Sequence, residues 1–267
     1  MNGSRVAAIV LRQVYLWRGS PQRVLPMFAW VAIDIVLWGF ISRYLGSVAH
    51  SGFNFAAALL GAVLLWDFLT RVMQGVTMAF FEDVWSRNFL NLFASPLRIS
   101  EYLAGLVITG VTTSLLGLVA MVAVASAVFG LSFLSFGPAL GALLTVLFLT
   151  GIALGVLGAA IVLRLGPASE WLIWPMPTLI APFAGVFYPV SVLPAWMQAI
   201  SKGLPPSYVF EGVRAIVAGR PPPWSLLAIG GGLAVVYVVA ACRIFTSVYR
   251  HAIRTGLIAR YSAESVA

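Results

Sequence analysis

Two residues of opposite charge stand four apart in an otherwise apolar stretch, Asp67 and Arg71 of "WDFLTR". That spacing stacks them on one face of a helix, where they can pair. Ionisable groups at membrane depth are costly and default to internal, functional positions. The pair is therefore either a structural bridge between helices or the polar lining of a transport path. Asp34 sits in the preceding apolar stretch with no partner in its own helix. It can serve a proton relay, or take a partner from another helix. Glu211 and Arg214 form a further candidate pair, three apart on a short amphipathic element.

Other chemistries lack their residues. No G-x-x-x-x-G-K-[ST] phosphate loop exists, the single lysine being Lys202 in "AISKGL", and neither G-x-S-x-G nor H-E-x-x-H occurs. Cys242 is the single cysteine, and His50 and His251 lie far apart. No metal, redox or catalytic site is expected, and no cofactor on this chain.

The elements that carry these residues follow from composition. Of 267 residues 61% are hydrophobic and 9% charged, against about 25% charged in soluble domains. Hydrocarbon cannot satisfy backbone groups, so apolar runs without strict alternation must cross as helices of about 20 residues. The expected fold is all-α: a single polytopic transmembrane domain over 1–267, with six spans at 26–44, 53–81, 102–130, 138–163, 171–188 and 223–242. The interval 102–163 carries no charge and suits two helices joined at "LSFLSFGP". Pro175, Pro177 and Pro182 argue against a straight fifth span. No cleaved signal peptide is expected, the first long apolar run being of full span length.

The net charge of +8 reads as orientation rather than as nucleic-acid binding. Eleven arginines fall before span one, between spans two and three, after span four and after span six, against Arg43, Lys202, Arg214 and Arg220 on the other face. Both termini are thus expected in the cytoplasm, with 243–267 as a cytoplasmic tail. Residues 1–23 interleave arginines with apolar and aromatic residues, as an interfacial helix on anionic lipid would, or as a helical extension of span one would. Between spans two and three, Glu82, Asp83, Arg87, Arg98 and Glu101 bracket apolar residues in an amphipathic cytoplasmic segment that either rests on the membrane or docks a partner, with Asn88 as a further candidate contact.

The stretch "FYPVSVLPAW", 187–196, is uncharged yet broken by Pro189 and Pro194. From Glu170 to Lys202 there are more apolar residues than one crossing needs. Irregular backbone at membrane depth survives only under protein or in a water-filled cavity. The segment reads as a re-entrant or interfacial hairpin on the extracytoplasmic side, or as a plain external loop anchored at Trp196. In span four, Gly137 with Gly141 and Gly151 with Gly155 recur at four-residue spacing, which suits close intrachain packing.

Together these features resemble the permease subunits of type-2 ABC transporters. The resemblance covers nearly the whole chain and is most specific in "NLFASPLRISEYLAG" and "FYPVSVLPAWMQAISKGLPPSYVFEGVRAIVAG". In the second, Tyr188, Pro189, Pro194, Pro206, Tyr208, Glu211 and Arg214 occupy matching positions, and Pro205 stands where the family usually has asparagine. The resemblance implies a permease homodimer in the bacterial inner membrane, working with two cytoplasmic ATPase chains that carry ATP and Mg. It makes the segment from Glu82 to Arg98 the coupling helix and the N-terminal stretch the connecting helix. The sparse charge of the pathway favours an amphiphilic, drug-like or lipid-like cargo, and a lipid-linked polysaccharide is the alternative, compatible because it carries its own lipid. A proton-coupled secondary transporter using Asp34 and Asp67 and a nontransporting membrane anchor are the rival expectations.

Overall fold

The computed structural model describes residues 2–19, 21–48, 55–86, 95–130 and 136–256. Among them are nine α-helices and no strand: α1 (Gly3–Gly19), α2 (Pro21–Val48), α3 (Phe55–Trp85), α4 (Ile99–Phe129), α5 (Ala139–Leu165), α6 (Met176–Ala184), α7 (Ala195–Ser201), α8 (Pro205–Val217) and α9 (Trp224–Arg254). Four stretches, Leu59–Trp85, Ile99–Phe129, Ala139–Leu165 and Trp224–Arg254, are long and apolar enough to cross a membrane.

Helices α3 and α5 form the hub, α3 packed against α2, α4, α5 and α8, and α5 also against α9. Phe68, Leu69, Val72, Met73, Val76 and Phe80 on α3 are fully buried or nearly so. Between helices in lipid the hydrophobic effect gives no drive, and small residues gain close backbone approach instead. That is the arrangement where α5 crosses α3. A Cβ at Gly151 would lie 2.6 Å from the Val72 Cβ, and one at Gly155 would lie 2.8 Å from the Met73 carbonyl oxygen. The second glycine pair of the sequence thus forms the α3–α5 crossing. Gly137 and Gly141 have nothing within 4 Å and make no such contact. Helix α4 meets α3 in the same manner, a Cβ at Gly110 falling 2.6 Å from Val76.

Three expected boundaries shift. Helix α9 runs on past the expected tail boundary at 243 to Arg254, because nothing in "CRIFTSVYRHAIR" breaks a helix. Helix α2 is longer at both ends than 26–44. The segment expected to span at 171–188 is not one helix: it comprises a 3₁₀ turn, Pro167–Leu172, and the nine-residue α6. Gly185, at φ +61°, ends α6 in a left-handed conformation that glycine adopts without a Cβ penalty. This broken segment leaves the C-terminal end of α3, where Trp85 Nε1 donates to Glu170 at 3.3 Å, and reaches Arg214 fifteen residues later at Gly185.

Candidate functional site

Three polar constellations occupy different levels of the bundle. In the middle, Arg71 Nε donates to Asp67 Oδ2 at 2.6 Å, the pairing expected from their spacing. Both side chains are largely buried, and Gly117 of α4 leaves room for the Arg71 stem. Asp34 of α2 lies within electrostatic reach of both groups. Two helices therefore bring together the two acids that the sequence held in separate spans. Two carboxyl groups and one guanidinium thus form a polar strip in apolar surroundings.

At the C-terminal end of α3 a clamp joins α1, α3 and α4. Arg12 of α1 bonds Asp83 Oδ1, and Tyr102 of α4 donates its hydroxyl to Asp83 Oδ2 at 2.8 Å. Glu101 accepts from the backbone N–H groups of Asn2 at 2.7 Å and Arg98 at 3.0 Å, and pairs with Arg5 at 3.4 Å. Helix α1 also lays Val6, Ile9 and Gln13 inward, with Ile9 seated against Gly105. Its amphipathic pattern is thus used on α4.

The clamp takes up one of the expected coupling residues, Asp83. Asp83 has no exposed surface and faces inward, not toward a docking partner, because Arg12 and Tyr102 satisfy it from two helices. Glu82 is half-buried on α3 and Arg98 is exposed just before α4. Arg87 and Asn88, and most of the expected coupling helix, lie outside the described residues. From sequence Glu101 is only one charge of the amphipathic segment, and nothing singles out Arg5, Arg12 and Tyr102 as clamp residues. The only available signal was that buried charges need partners, and it does not say which.

At the opposite end sits the proline-broken segment. Residues Val190–Val192 form a 3₁₀ turn and Pro194 caps α7. Glu211 accepts from the Val190 N–H at 2.8 Å and from Arg214 Nη2 at 2.9 Å, while Arg214 Nη1 donates to the Gly185 carbonyl at 2.7 Å. The expected i,i+3 pair thus exists and staples the outgoing limb to α8. Tyr188 donates to the Pro182 carbonyl at 2.8 Å, and Tyr208 to the Lys202 carbonyl at 2.7 Å. Pro206 stands in the first turn of α8, where a missing N–H costs nothing. Trp196 is 62% exposed and touches Phe183 edge-on. Phe210 of α8 approaches Trp66 of α3 with ring centroids 6.0 Å apart, anchoring the return limb to the hub.

Among the described residues no three His, Cys, Asp or Glu side chains group as metal ligands. A family model described as ABC-2 type transporter matches residues 6–218, a stretch that holds the three constellations apart from Asn2 and Arg5. No curated protein matches the chain.

Proposed function

The chain belongs to the ABC-2 type transporter family, and we propose that as its membrane-spanning subunit it forms half of an export pathway for an amphiphilic, drug-like or lipid-like cargo. The single observation that carries this reading is the family match across 6–218. In it, α2 and the broken segment before the hairpin complete six crossings, both termini face the cytoplasm of a bacterial inner membrane, and two copies of the chain meet two cytoplasmic ATPase chains. ATP hydrolysis belongs to those partners.

The clamp supports a mechanical route. A displacement applied beyond Trp85 reaches α3 directly, α1 through Arg12 and α4 through Tyr102, because all three converge on Asp83. Three helices then move as one lever rather than as independent rods. At the other end, Glu211 and Arg214 hold the hairpin over the apolar bundle, which suits an exit cap. Between them the strip of Asp34, Asp67 and Arg71 offers polar contact to a headgroup while the surrounding surface accepts a lipid-like body. A lipid-linked polysaccharide fits the same strip.

Affinity purification in mild detergent tests the reading. An ATPase chain should co-purify under at least one nucleotide condition, and cargo should raise ATP hydrolysis. Absence of any ATPase under every condition would remove the exporter. Transport by the isolated chain, driven by a proton gradient and lost with Asp34→Asn, would replace it with the secondary transporter.

A further inference from the structure

The last helix carries a groove beyond the matched residues. Arg243, Arg250 and Arg254 follow one another at spacings of seven and four, which places them along one side of α9. Thr246 and Ser247 stand between the first two, and all five border a groove of about 750 Å³. The three arginines are exposed. Among the described residues, none of them forms an ion pair.

The same side turns apolar toward the helix N-terminus. Val239 and Cys242 border the groove, and Val235 and Val236 beyond them are half or more exposed. A hydrocarbon core of about 30 Å takes up roughly 20 helical residues. Counted from Trp224, it ends near Arg243, and the remaining turns of α9 stand at headgroup level and beyond.

We propose that this groove holds the headgroup of an anionic phospholipid. Guanidinium forks match phosphate oxygens in geometry and charge, and Ser247 adds a hydroxyl donor beside them, while the Thr246 hydroxyl donates to the Cys242 carbonyl at 2.8 Å and leaves its lone pairs to the groove. Three cations with no facing carboxylate among the described residues leave an anion as the complementary occupant. The apolar stretch directly above supplies the surface for acyl chains, which a free phosphate would not need. Basic residues at the end of a membrane helix gain from anionic lipid in the same way. The proposal depends on the chain lying in a membrane, not on its cargo or direction of transport.

The test uses the full-length chain in nonionic detergent with added phosphatidylglycerol or phosphatidylcholine, retained lipid being counted by native mass spectrometry. The wild type should retain phosphatidylglycerol over phosphatidylcholine. Arg250→Ala with Arg254→Ala should lower that retention roughly fivefold per arginine, the fold-change for about 1 kcal/mol per basic residue at an anionic surface. The corresponding lysine pair should keep it, and Arg220→Ala should leave it unchanged. Equal retention of both lipids, or no change in the alanine variant, overturns the proposal. Displacement by inorganic phosphate but not by chloride at equal ionic strength would make it a soluble-anion site. Loss of ATPase co-purification with unchanged lipid retention would make it a protein-docking face, and either result removes the lipid.

Discussion

Tyr102 and Asp83, nineteen residues apart on α4 and α3, meet through a 2.8 Å hydrogen bond in which the phenol donates to the carboxylate. Neither has exposed surface, and the second carboxylate oxygen goes to Arg12 of α1.

Removing one member of this clamp should cost more than removing its charge altogether. Arg12→Ala leaves a buried carboxylate with only a phenol, and since Arg12 is 27% exposed the loss should lie at the low end of the range for broken buried pairs, about 3 kcal/mol. Tyr102→Phe should cost about 1.5–3 kcal/mol, the range for a hydrogen bond to a charged group. Arg12→Met combined with Asp83→Leu should restore most of the stability while uncoupling ATP hydrolysis from transport. Thermal unfolding in detergent reads the first three changes; a double variant less stable than Arg12→Ala would argue against a clamp.

Glycine replacements should separate packing positions from open ones. Gly151→Leu and Gly155→Leu drive side chains into Val72 and the Met73 carbonyl and should destabilise by about 1–3 kcal/mol or more. Gly141→Leu meets open space and should be tolerated. Comparable loss in all three, seen as yield and melting temperature, would mean that the α3–α5 crossing is not set by these glycines.

Unfastening the hairpin should expose its tip. Val192 is 70% exposed, so Val192→Cys in a Cys242→Ser background should react with a membrane-impermeant maleimide applied from outside the cell. Arg214→Ala, which frees the Gly185 carbonyl, should raise protease cleavage near 190–193 severalfold. Labelling confined to the cytoplasmic face would overturn the extracytoplasmic placement.

The polar strip should answer to charge balance. Arg71→Ala leaves Asp67 and Asp34 as near neighbours without their cation, and should reduce folded protein more than Asp67→Asn does. Asp34→Asn should leave ATP-driven transport within a few fold of wild type, because the amide keeps a polar contact and ATP rather than a proton drives the cycle. A complete loss with intact folding would assign the Asp34 carboxyl an essential proton-carrying role.

The sequence by itself determined whatever depends on spacing along one element. Apolar runs and the backbone's need for hydrogen bonds chose membrane helices. The four-residue offset chose the Asp67–Arg71 pair, the three-residue offset the Glu211–Arg214 pair, and three prolines broke the fifth run. Such relations are local, and helix geometry dictates them without knowledge of any neighbour.

The tertiary structure alone decided which distant polar groups meet. Asp83 looked like part of an exposed amphipathic segment, yet it is sealed by Arg12 and Tyr102 from two other helices. Glu211 paired with Arg214 as its spacing required, but their joint hold on Val190 and Gly185 spans more than twenty residues. Partners across helices are chosen by which faces pack, and in lipid that choice rests on small-residue contacts such as Gly151 on Val72. The glycine spacing marks those contacts as candidates; only the packed bundle selects one pair and leaves Gly137 and Gly141 facing open space.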